Sequence, residues 1–317
     1  RVSETALTAV SLAFPLQNLL IAFGVGTGVG MASYLSRKLG EKDTETATKA
    51  AGNGITLAVI TWVLFAILGL TIVKPFMALF TDDAELLGLS TSYSEIVMIF
   101  SFFMLLSMMN ERILQGTGDS FSSMLSQMTG AITNIILDPV FIFVFKMGVN
   151  GAAIATVIGQ AVGCAVSLYF VIRNKYIKIK PQHLKLEKRM VASIYSVGAP
   201  TIITNSIGTV MTGAMNAILI GFSTTAVSVF SVYFKLQSFV FMPIFGLSSG
   251  MVPIIAYNYG ARKKKRVMST IWIGTLIAIV IMAVGTIVFN LFPEAPLYLF
   301  SATAAMYRPG VPALQLT

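Results

Sequence analysis

The chain has 317 residues, of which 56% are hydrophobic and only 11% are charged, and its mean hydropathy is +0.81. A soluble domain carries about a quarter charged residues, so this composition excludes an ordinary soluble globular protein. The net charge of +9 comes from basic residues grouped in short connections, which indicates membrane topology rather than nucleic-acid binding.

Apolar stretches long enough to cross a bilayer recur along the chain. Leu12–Ser36 and Trp272–Phe292 contain no charged residue, and Ser120–Phe145 contains only Asp138. Backbone polar groups in lipid must be bonded within their own segment, and the alternation of a β-barrel is missing, so we predict α-helices. The predicted helices cover 6–36, 50–80, 91–115, 120–146, 150–173, 190–220, 226–258 and 267–292, and a ninth starts near 297.

Basic residues lie in every second connection between these helices. Seventeen of the 22 Lys and Arg are in four connections, whereas the intervening ones are nearly neutral or acidic, as at Asp82 and Asp83. Since positive charge marks the cytoplasmic side, we expect a multi-pass protein of the plasma membrane. The basic loops predicted to be cytoplasmic are 37–49, 112–119, 173–189 and 259–267.

An internal repeat appears when the chain is compared with itself at an offset of 220 residues. Leu16-Gln17 then aligns with Leu236-Gln237, Gly30-Met31 with Gly250-Met251, and Gly40 with Gly260. Six helix starts separate the aligned segments, so the repeat unit is six helices in one orientation. Two parallel halves of this kind are a known transporter plan.

The repeat predicts an all-α polytopic membrane protein with two parallel six-helix bundles. The partner of the helix at 190–220 would precede residue 1, so we expect a fragment of a twelve-helix protein that lacks the first helix and most of the last three. The expected domains are an N-terminal bundle at 1–174 (helices 2–6), a cytoplasmic linker at 175–189 and a partial C-terminal bundle at 190–317 (helices 7–9 and the start of helix 10).

Asp138 is the acidic residue that lies deepest in an apolar run, and Pro139 follows it. A carboxylate inside a membrane is costly, so it faces a cavity or a partner and marks an ion pathway. Desolvation favours uptake of a proton by such a group. The alternative is a permanently neutral acid that caps a helix kinked at Pro139.

Two amides precede Asp138 on the same predicted helix. Asn134 lies one turn before Asp138 and Gln127 two turns before Asn134, so the three share one helix face. A carboxylate with amide and hydroxyl oxygens, the latter from Thr156 in the next helix, suits Na⁺ or a proton relay. For Asn134, a hydrogen bond between helices remains an alternative.

Three further polar side chains lie in apolar runs. Gln17 and Gln237 occupy equivalent places in the two halves, where they line a substrate cavity or hold helices together. Lys235 is a candidate cavity residue, although its position near a helix end also fits snorkelling to the interface, which we favour slightly.

Enzyme and cofactor motifs are missing. The segment GVGTGVG lies in an apolar run without a preceding strand, so helix packing explains it better than dinucleotide binding. Cys164 is the single cysteine, and His183 lies in a basic loop where we expect it to be solvated. We therefore expect no enzymatic activity, no cofactor other than H⁺ or Na⁺ as a coupling ion, and no nucleic-acid partner.

Several segments resemble the multidrug and toxic compound extrusion (MATE) family over essentially the whole chain. They are AVSLAFPLQNLLIAFGVGTGVGMASYLSRKLGEKD (9–43), LQGTGDS (114–120), NIILDP (134–139), GVNGAAIATVIGQ (148–160) and FKLQSFVFMPIFGLSSGMVPIIAYNYGA (234–261). The resemblance implies a V-shaped cavity between two bundles, alternating access, and export of cationic amphipathic compounds in exchange for H⁺ or Na⁺. It implies a monomer in the lipid bilayer with a small-molecule substrate.

The resemblance also implies a cation site in the first half. One branch of the family places its cation ligands at positions that correspond to Asn134, Asp138, Thr156 and the carbonyl of Ala152. The first-helix aspartate of that family has no counterpart in this chain.

Other functions remain open. A flippase for lipid-linked saccharides needs Arg and Lys in its cavity to hold pyrophosphate, and Lys235 is the one candidate here. A major-facilitator carrier needs a signature that Ser36-Arg37-Lys38-Leu39-Gly40 does not match. A channel and an inactive truncated product are the remaining alternatives.

Overall fold

The computed structural model describes residues 4–220 and 224–291, without the side chains of Lys235 and several others between 209 and 236. Within these ranges all regular structure is helical, which confirms the predicted fold class. The α-helices are α1 (Glu4–Gly40), α2 (Thr44–Thr71), α3 (Val73–Met77), α4 (Ala84–Ile99), α5 (Ser101–Gly116), α6 (Ser120–Pro139), α7 (Gly148–Arg173), α8 (Lys188–Ile220), α9 (Thr224–Gly260) and α10 (Lys264–Leu291). A π-helical turn (Val140–Val144) follows α6, and a 3₁₀ turn (Pro181–Leu184) precedes α8.

Six of the described stretches are long and apolar enough to cross a membrane, and the bent pair α4 and α5 together would make a seventh. The six are Thr8–Gly40, Thr44–Thr71, Ser120–Val144, Gly148–Arg173, Gln237–Gly260 and Lys264–Leu291. The ninth helix predicted near 297 lies outside the described residues.

Two predicted helices are interrupted. The helix predicted over 91–115 consists of two helices that are bent by 44° at Phe100. There the Ser101 hydroxyl donates a hydrogen bond to the Met98 carbonyl at 2.7 Å and so competes with the backbone N–H groups for this acceptor. The helix predicted over 50–80 ends at Thr71. Pro75 has no N–H to bond to the Thr71 carbonyl, so α2 cannot continue through it.

Aspartates begin three of the helices. Asp43 accepts a hydrogen bond from the Thr46 N–H at 3.0 Å, and Asp83 and Asp119 cap α4 and α6 in the same way. Hydrogen bonds from the Thr46 side chain and backbone lower the pKa of the Asp43 carboxyl. These acidic residues in the connections therefore have a local structural role as helix caps.

The 220-residue repeat is visible in the backbone. α1 ends at Gly40 and α2 begins at Thr44, and 220 positions later α9 ends at Gly260 and α10 begins at Lys264. In the turns that follow α1 and α9, Lys42 and Arg262 both adopt a positive φ, of 64° and 55°. Matching hydrogen bonds close the two turns, from Lys42 N to Leu39 O and from Arg262 N to Tyr259 O, both 3.0 Å.

The basic stretches are mainly helix ends rather than loops. The structure corrects the loops predicted at 37–49, 112–119 and 259–267, because α1, α2, α5, α9 and α10 extend into them and leave turns of three residues. Where a helix is longer than its apolar segment, its last turns contain the charged residues that flank that segment.

The described residues form two compact units. The first comprises 4–206 and 256–262, and the second 207–220, 224–255 and 263–291. The core of the first unit is built from apolar side chains of α1, α2, α4, α5 and α7, such as Leu35, Phe65 and Met109. In the second unit, α9 packs against α10 where Met251 contacts Gly274 and Val240 contacts Gly285.

Residues 174–187 connect α7 to α8 and are held against α2 by hydrogen bonds. Asn53, fully buried, donates to the carbonyl of Lys185 at 3.1 Å and accepts from the N–H of Glu187 at 2.9 Å. Thr56 donates to the Leu184 carbonyl at 2.7 Å. The expectation that His183 is solvated is wrong: its ring is buried, and Nδ1 accepts from the Lys180 N–H at 3.1 Å.

The ends of α1 and α9 cross within the first unit through a reciprocal glycine contact. A Cβ at Gly40 would overlap the Tyr257 carbonyl, and a Cβ at Gly260 would overlap the Arg37 carbonyl. These four positions are related by the same offset of 220. The Arg37 guanidinium also lies 5.6 Å from the centroid of the Tyr259 ring, which adds a cation–π contact.

The crossing predicts opposite effects for two Gly→Ala substitutions. Gly40→Ala should destabilise the protein by about 1–3 kcal/mol, because the backbones must separate to admit the methyl group. Gly250→Ala is the matched control, since no described atom lies within 4 Å of its added Cβ and alanine favours a helix. Thermal unfolding in detergent measures both, and an equal midpoint for the two variants would contradict the close crossing.

The hydrogen bonds that hold the connection between α7 and α8 to α2 predict a protease-sensitive variant. Asn53→Ala leaves buried backbone groups of residues 183–187 unpaired at a cost of ~1–3 kcal/mol, so the connection should open about tenfold more often. Limited trypsin digestion, with fragments identified by mass, should then show faster cleavage after Lys185. Asn290→Ala removes an exposed amide bonded to the Thr286 carbonyl and should not change that rate.

Candidate functional site

A cavity of about 410 Å³ lies in the first unit between α5, α6 and α7, with Val25 of α1 at one side. Polar side chains from all three helices line it. They are Ser107, Glu111 and Arg112 of α5, Ser126, Gln127 and Asn134 of α6, and Thr156 and Gln160 of α7. A volume of this size fits a small organic molecule.

The predicted cation-coupling residues meet at the α6–α7 contact. The Asn134 amide nitrogen lies 3.3 Å from Oδ1 of Asp138 and 3.4 Å from Oγ1 of Thr156, so one amide bridges the carboxylate and the hydroxyl. Ala152 is half-buried on α7, one turn before Thr156, and its carbonyl is the helical acceptor for the Thr156 N–H. Asp138 itself is not among the residues that line the cavity.

Glycines allow α6 and α7 to approach closely at this point. A Cβ at Gly159 would lie 2.8 Å from the Gly130 carbonyl oxygen and 3.0 Å from Cβ of Asn134. The missing side chain therefore brings Asn134 within reach of Thr156. Such small-residue contacts are a common means of helix association in membranes.

Glu111 is a functional candidate that sequence reasoning missed. Its carboxylate accepts a hydrogen bond from the Ser107 hydroxyl at 3.0 Å and another from Nε2 of Gln127 at 2.8 Å. Glu111 lies near the end of the helix predicted over 91–115 and beside Arg112, a position that is typical of a solvated acidic residue. The signal was present in the four-residue spacing from Ser107 and in the apolar run from Ile96 to Met109.

The four residues predicted for a substrate cavity lie on three different helices, α1, α6 and α9. Gln127 lines the cavity of the first unit, whereas Gln17 donates from α1 to the Tyr93 hydroxyl of α4 at 3.3 Å. Gln237 is half-buried on α9 in the second unit. The side chain of Lys235 lies outside the described residues.

Sequence relatives agree with this architecture. "Multidrug export protein MepA" of Staphylococcus haemolyticus (strain JCSC1435) is 29% identical over 296 residues, which is 93% of this chain and 65% of that protein. The protein of the same name from Staphylococcus saprophyticus is 27% identical over 312 residues, or 98% of this chain and 69% of that protein. The chain thus spans about two thirds of the length of these relatives.

Solved structures are similar over nearly the whole chain. One is described as the "outward-facing conformation of a multidrug resistance MATE family transporter of the MOP superfamily", with a TM-score of 0.93 and 26% identity. Another is a MOP superfamily transporter from Pyrococcus furiosus whose description states a reversed polarity of the binding pocket, also with a TM-score of 0.93 and 26% identity. Each match covers 99% of this chain and 71% of the other.

The MatE family model matches residues 1–140 and 200–317, which is most of the chain. With the helical fold, the membrane-spanning segments and these relatives, the match leads to one assignment. The chain belongs to the MATE family of multidrug and toxic compound extrusion transporters.

Proposed function

We propose that the protein is an antiporter that exports small organic compounds, cationic and amphipathic, in exchange for H⁺ or Na⁺ by alternating access. Membership in the MATE family supports this proposal, as do relatives named for multidrug export. The protein acts as a monomer in the plasma membrane and has no enzymatic activity and no cofactor apart from the coupling ion.

The observation that carries the proposal is the group formed by Asp138, Asn134 and Thr156. Among the described residues, no Lys, Arg or His nitrogen lies within 4.0 Å of Asp138. A carboxylate inside a membrane without a basic partner is stabilised by a proton or a metal cation. The Thr156 hydroxyl beside it is a neutral oxygen ligand of the kind that Na⁺ prefers, and Asn134, whose NH₂ group faces Asp138 and Thr156 in this structure, would present its oxygen after a flip of the amide.

Coupling then follows from differential affinity. A cation shifts the balance between inward- and outward-facing states only if it binds one of them more tightly. Asp138 lies next to Pro139 and the π-helical turn that follows, two features at which helices bend, so its surroundings would change if this part of α6 straightened or bent. Neutralising its charge therefore favours one conformation.

The orientation in the membrane is part of the proposal. The basic ends of α1 and α9 and the connection at 173–189 lie in the cytoplasm, as the distribution of positive charge indicates.

A flippase for lipid-linked saccharides is the second candidate, because Arg112 lines the cavity of the first unit. Its Nη1 donates to the Gln115 side chain at 2.9 Å, and the adjacent Glu111 places a negative charge in the same cavity. A pyrophosphate group would meet that carboxylate, so the observed lining favours a cationic substrate.

The first prediction concerns Asp138. Asp138→Asn should reduce gradient-driven efflux of a fluorescent organic cation from proteoliposomes about tenfold or more, equivalent to ~1.4 kcal/mol of lost differential affinity. Asp119→Asn removes a carboxylate outside the cavity while keeping an N-cap, so it should transport normally. Undiminished efflux by Asp138→Asn, at equal expression, would refute the coupling role. No efflux by the wild type under an H⁺ or Na⁺ gradient would support the flippase or an inactive product.

The second prediction concerns Thr156. Thr156→Val removes the hydroxyl beside Asn134. The cation concentration for half-maximal efflux should rise ~10-fold, because one ligand of the cation is lost. The maximal rate should change little, because the Asp138 carboxylate remains. Thr133→Val is the matched control, because its hydroxyl donates to the Thr129 carbonyl at 2.8 Å. Equal half-maximal concentrations in the two variants would remove Thr156 from the site.

A further inference from the structure

We propose that Glu111 is the counter-ion for an organic ammonium group that binds in the cavity between α5, α6 and α7. The inference rests on the proposed function for its substrate class and adds a site that is distinct from Asp138. The cavity, the carboxylate and an unsatisfied acceptor on the opposite helix support it independently of one another.

Neutral groups hold the Glu111 carboxylate in place. Oε1 accepts from the Ser107 hydroxyl at 3.0 Å and Oε2 from the Gln127 amide at 2.8 Å. Arg112 lines the same cavity, yet its Nη1 donates to Gln115, and no basic nitrogen of the described chain lies within 4.0 Å of Glu111. Arg112 attracts this carboxylate electrostatically without forming an ion pair with it. Because an ionised carboxylate in an apolar span is costly, an organic cation would supply the direct ion-pair partner that Glu111 lacks.

Gln160 presents a second acceptor to this cavity from α7. Its Oε1 is buried and accepts no hydrogen bond within the described part of the chain. A buried polar atom without a partner costs about 1–3 kcal/mol, so a ligand that supplies an N–H or a polarised C–H would relieve it. The acidic side chain on α5 is thus one acceptor, and a rotation of the Gln160 amide on α7 would bring a second one to the ligand.

The remaining walls are apolar and adaptable. Val25, Met104, Met108 and Ala131 contribute methyl, methylene and thioether groups. Methionine side chains fill irregular gaps around ligands of different shapes. The lining therefore fits an apolar body with one positive nitrogen.

Equilibrium binding of ethidium to the purified protein in detergent, without any ion gradient, tests the site. Glu111→Gln keeps the shape and removes the charge, so the Kd should rise about 10- to 100-fold (~1.4–2.8 kcal/mol). Glu111→Asp should retain part of the affinity. Asp119→Asn is the control for loss of a carboxylate elsewhere, and its Kd should equal that of the wild type.

A second variant covers the case in which Glu111→Gln fails to fold. Ala131→Phe fills the cavity from α6 without altering the carboxylate, and it should also weaken ethidium binding. An unchanged Kd in either folded variant, or no binding by the wild type, would overturn the proposal. Stoichiometric, Glu111-dependent displacement of ethidium by Na⁺ would overturn it as well, in favour of a metal site.

The assay separates this inference from the proposed function. Efflux that is insensitive to Asp138→Asn would refute the coupling role while Glu111-dependent binding stands. Normal coupled efflux, together with an ethidium Kd that Glu111→Gln leaves unchanged, would refute the ammonium site and leave the proposed function standing.

Discussion

The low polarity of the bilayer interior dictates where the polar side chains of this protein lie. A charged or hydrogen-bonding group inside a span must find its partner within the protein, because lipid offers none. Asp138 and Glu111 each bond to an amide of α6, Asn134 and Gln127 respectively. Both amides and Glu111 line the same cavity, so the cost of placing polar groups in the membrane concentrates them at one place.

The bilayer interior also determines how the helices associate, which here occurs through close backbone contacts. Hydrophobic collapse cannot drive helices together in lipid, and small residues replace it by allowing close packing. Gly130 and Gly159 do so beside Asn134, and Gly40 and Gly260 do so where α1 and α9 cross. The second contact is reciprocal because the two helices are copies of one another, displaced by 220 residues along the chain. Internal duplication has thus produced a contact that resembles the isologous interface of a dimer.

The sequence predicted much of the fold, since long apolar runs in lipid admit one regular structure. It also predicted that Asn134 and Asp138 lie on one face of a helix, because helical periodicity brings i and i+4 together. Thr156, on the next helix, was predicted from its hydroxyl and from the family resemblance. It did not predict the bend at Phe100, where neither proline nor glycine marks the break. It missed Glu111, because this residue lies near the end of the helix predicted over 91–115 and next to Arg112, where an acidic side chain is usually solvated. Gln17 was predicted either to line a cavity or to hold helices together, and no local pattern could identify its partner Tyr93, which lies 76 positions away.

The two proposed cation sites are close enough to influence each other. Gln127 and Asn134 are seven residues apart on α6, which is about 10 Å along the helix axis. Two unit charges at that separation interact by roughly 1.7 kcal/mol at an effective dielectric constant of 20. A coupling cation at Asp138 would therefore weaken binding of an organic cation at Glu111 by somewhat more than tenfold. Exchange requires that binding of one ligand weakens binding of the other on the same carrier. In this arrangement electrostatic repulsion along α6 weakens binding in this way, although the two sites do not overlap.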